Sequence, residues 1–214
     1  MRFLIVGAGA VGGFVAARLA DAGHDVTLLV RPHSAARLRD DGLRLASQDE
    51  VRVVRPSVVT AAELTPGYDA IVLAVKSEDL GGVMDDIEPA VKPPAVIVPF
   101  LNGMAHVDPL VGRFGPAVLG GVLRIATERE DDGTIGVLAP LFEVEVGELD
   151  GSPSARVERL ASAFRDAGAD ATVPADIVGA TWDKWVFIAS LGAVTSLMRA
   201  PVGEIVAVPG GEPR

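Results

Sequence analysis

The chain has 214 residues, of which 49% are apolar and 22% are charged. This balance supports a full hydrophobic core and excludes an intrinsically disordered protein. The 19 Lys and Arg against 29 Asp and Glu give a net charge of −10, which disfavours nucleic acid as a partner. Without cysteine and with three histidines, the chain excludes disulfides, predicts no metal site and is compatible with the cytoplasm.

A βαβ unit is predicted over residues 2–31. Phe3 to Val6 is a continuous apolar run, and apolar residues at helical spacing follow from Val11 to Ala22. Gly23 ends this helix, and the β-branched, apolar run from Asp25 to Val30 is typical of a strand buried on both faces. Glycines interrupt the N-terminal apolar run, which argues against a secretory signal.

The alternation of strands and helices continues to residue 100. The predicted elements are a charged helix, short irregular strands, an apolar strand, a helix and a second apolar strand, at residues 34–41, 43–59, 70–75, 80–91 and 95–100. This order predicts an α/β fold with a Rossmann-like, doubly wound parallel sheet and right-handed crossovers.

From residue 118 the pattern becomes rich in strands and then in helix. Strands are predicted around the turn Asp131-Asp132-Gly133 and near residue 172, with helices before and after the latter, at residues 118–127, 134–147, 154–167, 172–173 and 176–199. Three prolines and three glycines predict that the last fourteen residues are not helical. We assign residues 1–172 to a first domain and residues 173–214 to the start of an all-helical second domain.

A glycine motif lies between the first predicted strand and the first predicted helix. Such a G-x-G-x-x-G motif allows a tight turn, a close approach of the backbone to a pyrophosphate, and close packing of the helix. The helix N-terminus then offers unpaired N–H groups to the phosphates. The candidate cofactor-binding residues of the motif are Gly7, Ala8, Gly9, Ala10, Val11 and Gly12.

Arg31 follows the second predicted strand, at the place that faces the adenosine ribose of a bound dinucleotide. NAD sites usually carry Asp or Glu there, whereas the 2′-phosphate of NADP requires a cation. Arg37 lies close by, and no carboxylate stands at that place in the sequence. The pattern favours NADP, and the alternative is an arginine that is simply solvated at a strand end.

Lys76 and Asn102 follow the next two apolar strands. Because ligands bind outside the carboxyl ends of the strands in such sheets, both side chains are expected at the same crevice. The alternatives are a solvated loop lysine and an ordinary Asn-Gly turn with Gly103.

Lys184 lies in an apolar helical segment. A lysine in such a helix extends its ammonium to solvent or finds a partner, since burial of an unpaired charge is unfavourable. A catalytic role is favoured only if this helix borders the crevice. The apolar stretch from Trp185 to Met198 is shorter than the about 18 residues that a membrane span needs, so no membrane anchor is expected. Apolar residues surround the helix on most sides, which predicts self-association, for example as a homodimer.

Taken together, these motifs resemble the ketopantoate reductase family over essentially the whole chain. The resemblance rests on the glycine motif with Arg31, on Ala74 to Ser77, on Leu101 to Gly103 with His106, and on Trp182 to Lys184. It implies an NADP-binding Rossmann domain followed by a helical domain, with the substrate in the cleft between them. The implied reaction is hydride transfer from NADPH to the ketone of 2-dehydropantoate, which yields pantoate for pantothenate biosynthesis.

The resemblance also implies roles for individual residues. Lys184 matches the catalytic lysine, whose ammonium hydrogen-bonds the ketone oxygen and supplies its proton. Asn102 matches an asparagine that meets the substrate and the nicotinamide. Lys76 matches a lysine on the cofactor side, and Ala126 matches a small residue beside the cofactor.

Two features depart from the family pattern. Ile188 and Gly192 stand where the family commonly has asparagines, which implies a less polar substrate or another 2-oxo acid. The chain stops at Arg214, soon after the first helix of the second domain, which implies a C-terminally truncated member. Two hypotheses follow: an NADPH-dependent 2-oxo acid reductase, and a non-catalytic NADP-binding module or inactive fragment of such a reductase.

Overall fold

The computed structural model describes residues 1–47 and 50–210. The strands β1 to β10 are Arg2–Val6, Asp25–Leu29, Leu43–Ser47, Glu50–Val54, Ser57–Val59, Ala70–Leu73, Val96–Pro99, Gly120–Arg129, Ile135–Gly147 and Asp170–Thr172. The helices α1 to α7 are Ala10–Asp21, Pro32–Asp41, Leu80–Ile87, Val107–Phe114, Ala155–Asp166, Ile177–Met198 and Val202–Ala207.

The first sheet is entirely parallel, with the strand order β5-β2-β1-β6-β7. At its centre, Ile5 of β1 pairs with Leu28 of β2 on one side and with Val72 of β6 on the other. All three side chains are fully buried, because helices or the second sheet cover both faces. The predicted α/β fold with a doubly wound parallel sheet is confirmed.

The second sheet has the order β10-β9-β3-β4, and β8 pairs with β9. The long antiparallel hairpin of β8 and β9 turns at Gly133, whose φ of +86° glycine adopts without strain. The sequence predicts these strands but not their partners: β3 pairs with the distant β9, through Leu45 opposite Ile135.

Helix α1 joins the two sheets. It contacts β1 and β2 of the first sheet and β3, β8 and β9 of the second. Gly13 allows this approach, because a Cβ at that position would lie 2.2 Å from the Cδ1 atom of Ile135. On the same helix, Phe14 packs edge-on against Phe142, with ring centroids 5.0 Å apart. Helix α1 therefore joins the two sheets through a shared hydrophobic core.

Helix α6 is 22 residues long, and its two buried residues, Ile177 and Thr181, lie at its N-terminal end. Asp176 caps it by accepting a hydrogen bond of 2.8 Å from the N–H of Gly179. Ile177 is buried in a seat that Gly120 and Gly147 leave open, where a Cβ would lie 2.6 Å and 2.9 Å from its side chain. Beyond this seat, large apolar side chains are exposed, up to 82% for Leu197.

By length and composition, α6 is also long and apolar enough to cross a membrane. The sequence prediction considered Trp185 to Met198 alone, whereas the helix begins at Ile177. The absence of a membrane anchor therefore stays a prediction, as does the domain boundary after residue 172, which falls between β10 and α6.

The prediction that the last fourteen residues are not helical is wrong for α7. Pro201 occupies the N-cap of this short helix, where the fixed φ of proline is favourable and its missing N–H is not needed. Pro209 and Gly210 follow the end of the helix. Gly211 and Pro213 lie outside the described residues.

We expect the 214-residue chain to self-associate through α6, because Val186 and Leu197 expose 60% and 82% of their surfaces. Light scattering at tens of micromolar should show dimers or larger species, and a Val186→Glu and Leu197→Glu double variant should shift the mass towards the monomer. Val51→Glu, on an equally exposed valine of β4, is the control and should leave the mass distribution unchanged. A monodisperse monomer of the unmodified chain would contradict this expectation.

Candidate active site

A crevice runs along the carboxyl edge of the first sheet, where ligands bind in folds of this type. It consists of two adjoining cavities of about 580 Å³ and 790 Å³. The cavities share Gly9 and the segment from Ala74 to Lys76. The glycine turn after β1 and the end of β6 therefore lie at the middle of the crevice.

Each glycine of the turn is required for a different geometric reason. Gly7 has φ of +96°, and a Cβ there would lie 2.7 Å from the carbonyl oxygen of Ala74. A Cβ on Gly12 would lie 2.0 Å from the carbonyl oxygen of Gly7, so this glycine packs against the turn itself. Gly9 has nothing within 4 Å of its Cβ position and lines both cavities.

This turn fits the pyrophosphate of a dinucleotide. Gly9 is also the N-cap of α1 and places no side chain over the first N–H groups of the helix, which stay available to an anion. Ala8 lines the first cavity, whereas Ala10 and Val11 line the second. Gly12 lines neither and acts through packing.

The first cavity carries a group of cationic side chains around Arg31, which is the N-cap of α2. Arg37, Lys76 and Arg129 also line it. Nη2 of Arg31 donates a hydrogen bond of 2.5 Å to Oδ1 of Asp79, which precedes α3.

The sequence has no carboxylate at the position of Arg31, but the fold brings Asp79 to its guanidinium. Asp79 lies between β6 and α3, 48 residues along the chain from Arg31, so sequence proximity could not reveal the pair. The side chains of Arg31 and Asp79 are 65% and 36% exposed, and such an open ion pair contributes little free energy. An incoming phosphate can therefore compete for the guanidinium.

The second cavity brings together Lys76, Asn102 and Lys184. Asn102 lies in the loop after β7, and Lys184 lies on α6. The loop and the helix are in contact, since a Cβ on Gly103 would lie 3.7 Å from the indole ring of Trp185. Helix α6 therefore borders the crevice, which was the condition for a functional Lys184.

Burial and nearby positive charge lower the pKa values of two side chains here, Lys184 and His106. Burial lowers the pKa of Lys184, and the positive charge of Arg124 lowers it further. His106 is 4% exposed, and its pKa is lowered first by burial and then by the charge of Lys184. Both groups therefore hold their protons less tightly than exposed side chains of the same type do.

Arg124 is a site residue that the sequence analysis missed. It lines the second cavity from β8, and its Nη1 donates a hydrogen bond of 2.5 Å to Oε1 of Glu145 on β9. The signal was present, because Arg124 is the one charged residue in the apolar run from Val118 to Ala126. The argument applied to Lys184, a cation among apolar residues, applies here equally.

The remaining candidates lie as follows. Ala126 lines neither cavity and lies at the irregularity in β8 between Ile125, which does line the second cavity, and Thr127. Ile188 contributes to the apolar wall of the second cavity, and Gly192 lies farther along α6. Within residues 1–47 and 50–210, no group of three or more His, Asp or Glu side chains is arranged to hold a metal ion.

Comparison with known proteins identifies the family. The model of the ketopantoate reductase PanE/ApbA family matches residues 3–151. The chain belongs to the ketopantoate reductase family. Among its relatives, the uncharacterized oxidoreductase YkpB of Bacillus subtilis is 35% identical, and the 2-dehydropantoate 2-reductase of Halobacterium salinarum is 31% identical. Each alignment covers 99% of this chain and 70% of the relative.

A solved structure gives the same result. The crystal structure of 2-dehydropantoate 2-reductase from Geobacter metallireducens matches with a TM-score of 0.89 and 28% sequence identity, over 99% of this chain and 70% of that chain. The ketopantoate reductase family consists of NAD(P)-dependent oxidoreductases, so the chain is assigned to this class of oxidoreductase. The family resemblance found in the sequence is confirmed.

Proposed function

We propose that this ketopantoate reductase family member reduces a 2-oxo acid to the 2-hydroxy acid with NADPH, and that 2-dehydropantoate is its substrate and pantoate its product. The observation that carries the proposal is that Lys184 and Asn102 line one cavity, which continues into the glycine turn after β1. The names of two relatives, 2-dehydropantoate 2-reductases from Halobacterium salinarum and Geobacter metallireducens, support the choice of substrate.

Different residues of the crevice would bind the cofactor and act on the substrate. The turn at Gly7 and Gly9 and the N-terminus of α1 would hold the pyrophosphate, and Arg31 would hold the 2′-phosphate. When bound, the reduced nicotinamide supplies a hydride. Lys184 donates a hydrogen bond to the ketone oxygen, stabilises the negative charge that develops on it and gives it a proton.

Asn102 and the cavity walls complete this arrangement. The amide of Asn102 orients the substrate at the end of β7. Leu123, Phe187 and Ile188 give the same cavity apolar walls, and apolar surroundings strengthen the interaction of Lys184 with a developing alkoxide.

Replacement of Arg31 by alanine is expected to remove most of the preference for NADPH over NADH. The guanidinium offers charge-assisted hydrogen bonds to the 2′-phosphate, worth about 1.5–3 kcal/mol, or about 10- to 100-fold in affinity. Titration of the unmodified protein and of Arg31→Ala with both cofactors measures this preference. Equal affinities of the unmodified protein for NADPH and NADH would contradict the role of Arg31.

Asp79→Asn provides the matched variant for the opposite effect. This change keeps the shape of the side chain and removes the charge that pairs with Arg31 and would repel the 2′-phosphate. The preference for NADPH should therefore increase in Asp79→Asn and decrease in Arg31→Ala. A decrease in both variants would show that the ion pair itself, and not the free guanidinium, is needed for cofactor binding.

A turnover assay tests the proposed reaction. The protein is incubated with NADPH and 2-dehydropantoate, NADPH oxidation is followed by absorbance, and pantoate is identified by mass spectrometry. A panel of other 2-oxo acids in the same assay defines the substrate class. Turnover of none of these acids by protein that binds NADPH would contradict the proposal.

The second candidate function is a non-catalytic NADP-binding module. The exposure of α6 favours it, because apart from Ile177 and Thr181 this helix is not buried within the described residues. The retention of Lys184 and Asn102 in one cavity favours the reductase. NADPH binding without turnover would identify the module, and binding with turnover would identify the enzyme.

A further inference from the structure

We propose that Arg124 binds the carboxylate of the 2-oxo acid, so that the substrate is held at two points, its ketone by Lys184 and its carboxylate by Arg124. This assignment rests on the proposed function. It names the residue that would make the site selective for acids over neutral ketones.

The position of Arg124 on β8 is suited to this role. Its neighbours Leu123 and Ile125 also line the second cavity, so this part of β8 forms one of the cavity walls. Lys184 of α6 lines the same cavity as Arg124. Because both cations line one cavity, a ligand bound there can contact both of them.

The guanidinium has donors left for a ligand. Its ion pairs within the described residues use Nη1 alone, with Glu145 at 2.5 Å and Glu143 at 3.8 Å. A guanidinium presents five N–H donors, and two parallel ones match the two oxygens of a carboxylate. The side chain of Arg124 is 35% exposed, whereas that of Glu145 is 19% exposed and anchors the guanidinium from the strand behind it.

The charges around the cavity favour an anionic ligand between the two cations. Lys184 and Arg124 are both cations at the same cavity, so their positive charges repel each other. A carboxylate bound between them relieves this repulsion, whereas a neutral ketone does not. Glu78 also lines the cavity, so the anion is expected on the side of β8 and α6.

The other walls offer the carboxylate no further cation on the side of β8 and α6, and their donors are the neutral side chains of Ser77 and Asn102. Phe100, Leu101, Phe187 and Ile188 present no hydrogen-bond donor from their side chains. Lys76 also lines the first cavity and lies at the glycine turn, on the cofactor side. Among the residues that line the second cavity, Arg124 carries the one guanidinium.

Calorimetry on the protein loaded with NADP⁺ tests the assignment with two probes, pantoate and its neutral lactone, pantolactone. Arg124→Gln should weaken pantoate binding about 10- to 100-fold, the effect of losing hydrogen bonds to a charged group. Pantolactone binding should change less than about twofold, because it has no carboxylate. In turnover, the KM for 2-dehydropantoate should rise more than kcat falls.

Arg156→Gln is the matched control. Arg156 also has a side chain that is 35% exposed and also pairs with a glutamate, Glu148, but it lines neither cavity. It should leave the binding of both probes unchanged. Arg124→Lys keeps the charge and loses the paired donors, so its pantoate affinity should fall between those of the unmodified protein and Arg124→Gln.

Glu145→Gln keeps Arg124 intact and covers the case in which Arg124→Gln does not fold. It removes a compensating negative charge, so pantoate should bind at least as tightly as in the unmodified protein. Unchanged pantoate binding in Arg124→Gln, or equal losses for pantoate and pantolactone, would overturn the Arg124 assignment alone. Failure of the unmodified protein to bind pantoate would overturn the proposed substrate as well.

Discussion

Replacement of Lys184 by alanine is expected to lower kcat about 10²- to 10⁴-fold, the usual effect of losing a general acid. The ammonium acts on charge that develops only as the ketone is reduced, so the dissociation constant of NADPH should change little. Steady-state kinetics and a cofactor titration measure the two quantities separately. Lys92→Ala, at an exposed lysine outside the two cavities, is the control and should leave both unchanged.

The pH profile gives a second measure of the same residue. Lys184 must be protonated to act as an acid, so activity should be constant at low pH and should fall as pH rises through its pKa. Burial and Arg124 lower this pKa, so the fall should begin at lower pH than for an ordinary lysine. In Lys184→Ala this basic limb should be absent. An unchanged kcat in the variant would show that Lys184 only extends its charge to solvent.

Replacement of Gly12 by alanine is expected to destabilise the fold strongly. The added Cβ would lie 2.0 Å from the carbonyl oxygen of Gly7 and 3.0 Å from its carbonyl carbon, and neither backbone atom can move without distorting the turn. Overpacking of this kind costs about 3 kcal/mol, which lowers Tm by about 6 to 12 °C in a chain of this size. Thermal unfolding followed by circular dichroism measures the change.

Two other glycines serve as controls for Gly12→Ala. Gly81 in α3 has open space around its Cβ position, so Gly81→Ala should stabilise the protein by about 0.5–1 kcal/mol through helix propensity. Gly9→Ala should leave Tm unchanged and weaken NADPH binding, because its methyl group would enter the space that both cavities share. A Tm for Gly12→Ala equal to that of Gly81→Ala would contradict the packing role.

The sequence predicts the N-terminal βαβ unit to within a residue or two, because its signals are local. An apolar run, a glycine turn and helical spacing each concern neighbours along the chain, and β1, α1 and β2 begin at or within one residue of the predicted positions. The position of the crevice was also predictable, since parallel strands place their carboxyl ends at the same edge of the sheet. Lys76 and Asn102 thus come to the same cavity, as predicted.

The features that sequence reasoning missed depend on contacts between distant segments. Strand propensity indicates that β3 exists but not that Leu45 pairs with Ile135. The Arg31–Asp79 ion pair and the Arg124–Glu145 pair likewise join separate elements. Charge and strand propensity along the chain do not specify which distant strands or side chains pair, because these pairs depend on the packing of the whole domain.

Both tryptophans of the chain, Trp182 and Trp185, lie on the helix that carries Lys184, so intrinsic fluorescence reports on this wall of the crevice alone. Trp182 is 49% exposed and emits from a largely aqueous environment, whereas the ring of Trp185 rests on the loop of Asn102 beside Gly103. A Trp182→Phe variant leaves Trp185 as the sole tryptophan, which is excited selectively at the red edge of the absorption band. Its emission maximum and lifetime then record, in a stopped-flow experiment, each movement of the Asn102 loop against α6 as ligands enter and leave.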